Sequence, residues 1–206
     1  MAKYLFLDID GVMNSDADPK DCYGSPKLHE DPHGFGAYWH SHMLVQNVRT
    51  VVERHNLHVV LSSAWRLNWS LEDIAAIWRD HGWDYPLQDA TPDLAQCIDW
   101  SKQRDGRLRF SEPFGYRFPE MGKQHRGLEI EMWLFKNVPY TDLPTTEVLI
   151  LDDRADMGKL LPWLHQTDPG KGFKETWVTP KPLGDVLTQP SPCLVKNLLP
   201  GWLPVR

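Results

Sequence analysis

Near its start the chain reads Tyr4-Leu5-Phe6-Leu7-Asp8-Ile9-Asp10-Gly11-Val12, an uncharged apolar run that stops at two aspartates and a glycine. Such a run predicts a buried strand, and the glycine favours a turn directly after it. Ligands of open α/β sheets bind at the carboxyl ends of strands. Two carboxylates facing the same way would repel each other, and a divalent cation would relieve that cost. The stretch therefore fits either an ordinary turn or a metal-assisted reaction at phosphate.

Two later segments have the same design. Residues 57–61 form a short β-type run that ends at Ser62, and residues 147–151 form another that ends at Asp152 and Asp153. Helical patterns lie between these runs, and alternation of strands with helices predicts a parallel sheet. In such a sheet the three polar ends meet at one edge. This convergence favours a site over an ordinary turn.

Three helices are predicted from periodicity. Residues 43–55 place apolar side chains on one face, and Ser70 begins a capping-box pattern that opens the second helix. Residues 126–136 form the third, with Glu129 and Glu131 expected on its outer face.

Composition limits the class of protein. The chain has 206 residues, 41 % hydrophobic and 24 % charged, which suits one globular domain. No apolar stretch approaches the ~20 residues of a membrane span, and no signal-peptide pattern precedes the first strand. The three cysteines form no CxxC pair, which favours a reducing compartment, and we therefore expect a cytoplasmic protein without membrane contact.

Charge is unevenly distributed. The formal net charge is −6, yet residues 102–126 contain seven basic and three acidic side chains. Four aromatic residues interrupt this basic segment: Phe110, Phe114, Tyr116 and Phe118. A basic segment with aromatics can follow a nucleic-acid backbone and stack bases. The alternative is a solvated loop whose aromatic rings cover the core.

Long connections divide the predicted domain, residues 1–188. Residues 14–42 and 90–122 exceed the ~12–15 residues beyond which structureless loops are uncommon, so we expect a flap and a lid. A Pro-rich tail follows at residues 189–206.

Histidines gather in residues 29–42, but their spacing matches no standard helical zinc pair, and a polar loop is the preferred interpretation. Trp65 and Trp69 follow Ser62 and either line the site mouth, where they would stack a base, or pack in the core.

The motifs resemble those of a known superfamily. Asp8-Ile9-Asp10-Gly11-Val12, the strand-end Ser62, a basic residue at a helix start and Ile150-Leu151-Asp152-Asp153 resemble the four motifs of the haloacid dehalogenase (HAD) superfamily, in order. The phrases around Ser62 and Arg126 look like those of capless HAD domains, similar to the phosphatase modules of polynucleotide-repair proteins. The resemblance implies an α/β, Rossmann-like fold: a mostly parallel sheet flanked by helices, with small insertions and no full cap domain.

The resemblance also implies roles for individual residues. Asp8 would be the nucleophile, and Asp10 would act as general acid and then as general base. Ser62 and a cation, either Lys123 or Arg126, would hold the phosphoryl oxygens. Mg²⁺ would be bound by the Asp8 carboxylate, the Asp10 carbonyl and Asp152. Asp153 or Asp156 would orient the metal's waters, and the predicted metal residues include Asp153 for that reason.

The function implied is that of a Mg²⁺-dependent phosphomonoesterase acting through an aspartyl-phosphate. The second acid, Asp10, separates this pattern from dehalogenating relatives, whose halide leaves without a proton. The basic segment favours a nucleic-acid end or a nucleotide as substrate. Alternatives are a phosphatase of small metabolites, a non-catalytic phospho-acceptor module, and a nucleic-acid-binding protein that uses the basic segment alone.

Overall fold

A parallel sheet forms the centre of the computed structural model, which describes residues 2–14, 40–94, 125–174 and 177–192. Its strands lie in the order β3-β2-β1-β4-β5, and β6 pairs antiparallel with β4. Their bounds are β1 Lys3–Leu7, β2 His58–Leu61, β3 Asp89–Ala90, β4 Glu147–Asp152, β5 Leu164–Gln166 and β6 Lys181–Pro182. The order reverses at β1, and the crevice between β1 and β4 is the switch point where such sheets bind ligands.

Within the described ranges, three α-helices accompany the sheet: α1 His42–His55, α2 Leu71–Asp80 and α3 His125–Asn137. Helix α2 begins with the predicted capping box, since the Asp73 N–H donates to Ser70 Oγ at 3.1 Å and the Ser70 N–H donates to Asp73 Oδ2 at 3.2 Å. Short 3₁₀ helices lie at Ala64–Leu67, Leu143–Thr145, Gly158–Trp163 and Gly184–Leu187.

Strand β1 buries both of its faces. Leu5 and Leu7 pack in one apolar cluster with residues of α1 and α2, whereas Phe6 packs in a second cluster with α3. This is why the strand is a continuous apolar run rather than an alternating one. The layered α/β architecture and the mostly parallel sheet confirm the predicted fold class.

The prediction for the outer face of α3 was wrong. Glu129 and Glu131 are each only 1 % exposed, and the helix is buried on nearly all sides from Arg126 to Phe135. A helix that is apolar all round lies in a core. Apolar side chains lie on several sides of α3 and already indicate a helix that is buried all round: Leu128, Ile130, Met132 and Phe135. The two glutamates are therefore buried as well, each with a basic partner.

Most of the two predicted insertions, including Lys123 and nearly all of the basic segment, lies outside the described residues. Among those described, no helix combines the length and apolarity that crossing a membrane would require. The tail is described only to residue 192, and there the Ser191 hydroxyl donates to Glu131 Oε2 at 2.8 Å.

Candidate active site

Polar side chains form one row across the carboxyl edge of the sheet. The ladder continues past the strands, since the Asp8 N–H donates to Leu151 O at 2.9 Å and the Ser62 N–H donates to Leu7 O at 2.8 Å. Asp8, Ser62 and Asp152 each follow by two positions a residue that packs toward α3. Because side chains alternate along a strand, all three are directed to the α3 side. The start of α3 therefore meets this row.

Three carboxylates converge at the switch point. Asp8, Asp152 and Asp153 each offer an oxygen within 4.8 Å of the others, and Asp8 and Asp152 are 3 % and 0 % exposed. Burial and then the neighbouring Asp8 raise the pKa of Asp152 to about 8, with Arg126 opposing the shift. Burial and Asp8 likewise raise the pKa of Asp153. The cluster is costly without a cation, and its oxygen donors fit a hard ion such as Mg²⁺.

The glycine after the aspartates allows this approach. Gly11 has φ of +70°, and a Cβ at this position would lie 2.7 Å from Asp153 Cβ. A side chain would therefore strain the turn and push Asp153 away from Asp8. The loop after β1 and the loop after β4 can meet only because this residue is glycine.

Arg126 lies at the centre of the charged cluster. Its Nη2 is 3.5 Å from Asp8 Oδ2 and its Nε is 3.2 Å from Asp152 Oδ2. Burial would lower its pKa, but the carboxylates of Asp8 and Asp152 raise it above the usual range. The buried guanidinium therefore stays charged beside the carboxylate of the predicted nucleophile.

The start of α3 is fixed against the loop that follows β4. The Gly127 N–H donates to Asp156 O at 3.1 Å, and a Cβ on Gly127 would lie 2.1 Å from Met157 O. Asp156 Oδ2 accepts a hydrogen bond from the Arg126 N–H at 3.4 Å, and it also pairs with Arg154. A carboxylate at a helix N-terminus is stabilising. These contacts give Asp156 a place at the helix start, while its predicted role toward metal-bound water stays a prediction.

A second arginine supports the first through Glu129. Glu129 Oε2 is 2.7 Å from Arg66 Nη2 and 3.8 Å from Arg126 Nη1. Arg66 also donates to the carbonyl oxygens of Ser62 at 3.0 Å and Thr91 at 2.9 Å, at the ends of β2 and β3. Burial lowers the pKa of Arg66, with Glu129 opposing the shift. The buried chain Arg66–Glu129–Arg126 thus joins the carboxyl ends of four strands, β1 to β4, to α3.

Ser62 carries a hydroxyl at the end of β2. Ser62 is fully buried, and its Oγ has no hydrogen-bond partner among the described residues. An unsatisfied buried hydroxyl costs free energy that a ligand oxygen can recover. Its neighbour in the row, the buried Thr91, also has a hydroxyl without a described partner.

Asp10 lies apart from the buried carboxylates. The chain turns after Ile9, whose carbonyl accepts hydrogen bonds from the N–H groups of Val12 and Met13, and the Asp10 side chain is exposed. Its Oδ1 accepts a hydrogen bond from Asn14 Nδ2 at 2.9 Å, and Trp65 Nε1 is 3.1 Å from each of its oxygens. The sequence allowed the two carboxylates to face the same way; in the structure Asp8 is buried and Asp10 is exposed.

The structure brings together most of the predicted site residues. Asp8, Asp152 and Asp153 form the cluster, with Arg126 in contact with it and Asp10 at its rim. Ser62 joins through the strand-end row. Sequence reasoning missed Arg66 and Glu129, because their partners are distant along the chain.

A protein-family model matches most of the chain. The model described as the HAD domain in Swiss Army Knife RNA repair proteins matches residues 4–178. This range includes every predicted site residue, Lys123 among them. No curated protein and no solved structure matches the chain.

Proposed function

The chain belongs to the HAD domains of Swiss Army Knife RNA repair proteins, and on that premise we propose that it is a Mg²⁺-dependent phosphomonoesterase acting on nucleic-acid ends or nucleotides. The proposal rests on the cluster of Asp8, Asp152 and Asp153, of which the first two are buried and in contact with Arg126. Membership of the family supports phosphatase activity in general. The aspartyl-phosphate mechanism, the metal and the substrate are what we propose beyond it.

Asp8 is the nucleophile of the proposed reaction. One of its carboxylate oxygens attacks phosphorus, the bond from phosphorus to the leaving oxygen breaks, and an aspartyl-phosphate forms. Asp10 gives a proton to the leaving oxygen, which departs as an alcohol. Asp10 then takes a proton from water as that water attacks phosphorus, releasing inorganic phosphate and restoring the Asp8 carboxylate. Burial of Asp8 beside Arg126 and exposure of Asp10 at the rim support this division.

The phosphoryl oxygens are held by Arg126 and Ser62 in this proposal. Arg126 Nη2 is 3.5 Å from Asp8 Oδ2, so a phosphoryl group on Asp8 lies within reach of the guanidinium. The unpartnered Ser62 hydroxyl supplies a neutral donor. Donors fixed before the reaction stabilise charge as it develops on the oxygens. Lys123, the other predicted cation, lies outside the described residues.

Asp8, Asp152 and Asp153, together with the Asp10 carbonyl, would hold Mg²⁺. The ion would neutralise the carboxylates and polarise the substrate phosphate. Thermal unfolding tests this part: Mg²⁺ should raise the melting temperature of the wild type but not that of Asp152→Asn. Without metal the variant should be more stable than the wild type, because it lacks one of the crowded carboxylates. Equal stabilisation of both proteins by Mg²⁺ would contradict the site.

The reaction is tested by phosphate release. With Mg²⁺, the wild type should hydrolyse a generic aryl phosphate, and Asp8→Asn and Asp10→Asn should be much slower. Loss of the acid/base alone is expected to cost on the order of 10²–10⁴. The proposal would be abandoned if both variants were as fast as the wild type. A stable aspartyl-phosphate without steady release would favour the phospho-acceptor alternative.

The substrate requires a separate panel. We expect faster release from oligonucleotides phosphorylated at the 3′ or the 5′ end than from mononucleotides and sugar phosphates. Binding of oligonucleotides should weaken as salt rises, because contacts with backbone phosphates release counterions. A preference for sugar phosphates would favour the small-metabolite alternative. Oligonucleotide binding that survives loss of Asp8, Asp10 and Asp152, without phosphate release from the wild type, would favour the binding protein.

A further inference from the structure

Trp65 contacts the exposed carboxylate rather than serving only as core packing. Its Nε1 is 3.1 Å from Oδ1 and 3.1 Å from Oδ2 of Asp10. The ring itself packs against the core cluster that contains Leu7 and Trp69, and His40 meets it edge to face, with the centroids 5.1 Å apart. The indole is therefore held by packing on its body and directs its one donor at Asp10.

A second neutral donor reaches the same carboxylate. Asn14 Nδ2 donates to Asp10 Oδ1 at 2.9 Å, while Asn14 Oδ1 accepts a hydrogen bond from the Gly11 N–H at 2.9 Å. Asn14 thus closes the turn and holds Asp10 at the same time. Without these donors an exposed aspartate would sample several rotamers. No cation is needed to fix it.

We propose that Trp65, with Asn14, is a positioning residue that orients Asp10 for proton transfer to the leaving group. The inference rests on the proposed function, because it gives Asp10 the role of acid. Proton transfer requires the acid to lie within hydrogen-bond reach of the leaving oxygen. Both positioning groups are neutral, so they fix the carboxylate without supplying a competing proton donor of the ammonium or imidazolium type.

The test varies the leaving group. A nitrophenolate departs without protonation, whereas an alkoxide requires the acid, and kcat/KM reports the step up to formation of the aspartyl-phosphate. Trp65→Phe keeps an aromatic ring but removes the N–H. Its kcat/KM should fall on the order of 10-fold for ethyl phosphate and stay within about 2-fold of wild type for p-nitrophenyl phosphate. Asn14→Ala removes the other donor and should show the same selectivity.

Trp69→Phe is the matched control. Its ring lies beside that of Trp65, with centroids 6.2 Å apart, and packs in the same core. The substitution makes the same change of indole to phenyl next to the contact, and should affect the two substrates equally. Melting temperatures measured for all variants separate loss of folding from loss of orientation.

A second measurement does not depend on turnover. The indole resonance missing from Trp65→Phe is assigned to Trp65 in the ¹H–¹⁵N spectrum. We expect it to move, and its proton to exchange faster with solvent, in Asp10→Ala, whereas the resonance of Trp69 changes little. An unchanged Trp65 resonance overturns the inference.

Kinetic outcomes separate this inference from the proposed function. Equal losses on both phosphates, or no loss on either, overturn the inference in a protein that is active. A wild-type protein inactive toward both phosphates with Mg²⁺ overturns the proposed function, and the positioning role falls with it. Selective loss in both Trp65→Phe and Asn14→Ala supports the inference.

Discussion

The two aspartates of the opening motif lie in contrasting surroundings, although one residue separates them. Asp8 is 3 % exposed and lies among Asp152, Asp153 and Arg126, so the inner half of the site consists of charges. Asp10 is exposed and is held by the neutral donors of Trp65 and Asn14, which form the outer half. Two aspartate side chains therefore lie in different environments within one turn.

This contrast matches the chemistry each half is proposed to perform. A nucleophile that attacks an anionic phosphate needs positive charge nearby, and buried charges interact strongly because water does not screen them. A group that both gives and takes a proton needs access to the leaving group and to water. Its neighbours should fix its direction while leaving it open to the leaving group and to water. The buried half contributes electrostatics, and the exposed half contributes orientation.

Removing Arg126 should give the largest effect and breaks the inner half. Arg126→Met leaves Asp8 and Asp152 without their buried cation. Activity should fall on the order of 10²–10³, as for loss of a donor to a developing oxyanion. The free energy of unfolding should also fall by about 3–5 kcal/mol, which urea titration measures. Arg126→Lys keeps the charge, and its activity should lie between those of the wild type and Arg126→Met. Full activity in Arg126→Met would contradict the importance of charge in the inner half.

Glu129→Gln should have a smaller effect and tests whether the second layer supports Arg126. A neutral amide would be a poor partner for two guanidiniums, so we expect about a 10-fold loss of kcat/KM and about 1.5–3 kcal/mol of stability. Glu131→Gln is the matched control, since Glu131 is equally buried on the same helix and contacts Lys159 instead. It should lose stability but not activity. Equal loss of activity in both variants would show that Glu129 has only a structural role.

The smallest expected effect concerns His40, which packs behind Trp65 in the outer half. Burial, and then repulsion from His81, lowers the pKa of His40 to about 3. Below its unfolded pKa of about 6.5 the unfolded chain binds a proton that the folded protein does not. Stability is therefore lost as the pH falls from about 6.5 toward 3, by about 1.4 kcal/mol per unit.

His40→Phe removes this proton linkage while retaining an aromatic ring. Urea unfolding of both proteins at pH 7 and pH 5 measures the difference, which should favour the variant by about 2 kcal/mol more at pH 5. Contributions from histidines that do not interact with His40 cancel when the two proteins are compared. The same loss on acidification in both proteins would show that His40 is not held neutral in the fold.

The sequence predicted the parts of the site that depend on strand ends. Three short β-type runs ending in Asp8, Ser62 and Asp152 had to meet once the sheet was parallel, because parallel strands share a carboxyl edge. The helix start at Arg126 followed from periodicity and is confirmed, within one residue, by α3. Local patterns sufficed for these features.

Other features depend on packing that no local pattern encodes. The contact of Arg66 with Glu129 joins residues 63 positions apart and forms only when α3 covers the ends of β2 and β3. The exposure of Asp10 depends on the turn at Gly11, which breaks the two-residue periodicity of the strand. For Trp65 the sequence allowed a position at the rim of the site or in the core. In the structure its Nε1 contacts Asp10 at the rim, while its ring packs against the core.

Trapping the phosphorylated enzyme shows whether Asp8 is the nucleophile. The protein is mixed with an aryl phosphate and Mg²⁺, quenched in acid and fragmented for mass spectrometry. We expect phosphate on Asp8 that neutral hydroxylamine removes. We also expect more of the adduct in Asp10→Asn, where the base for its hydrolysis is missing, and none in Asp8→Asn. Turnover with no phosphate on Asp8, or phosphate on another residue, would contradict it.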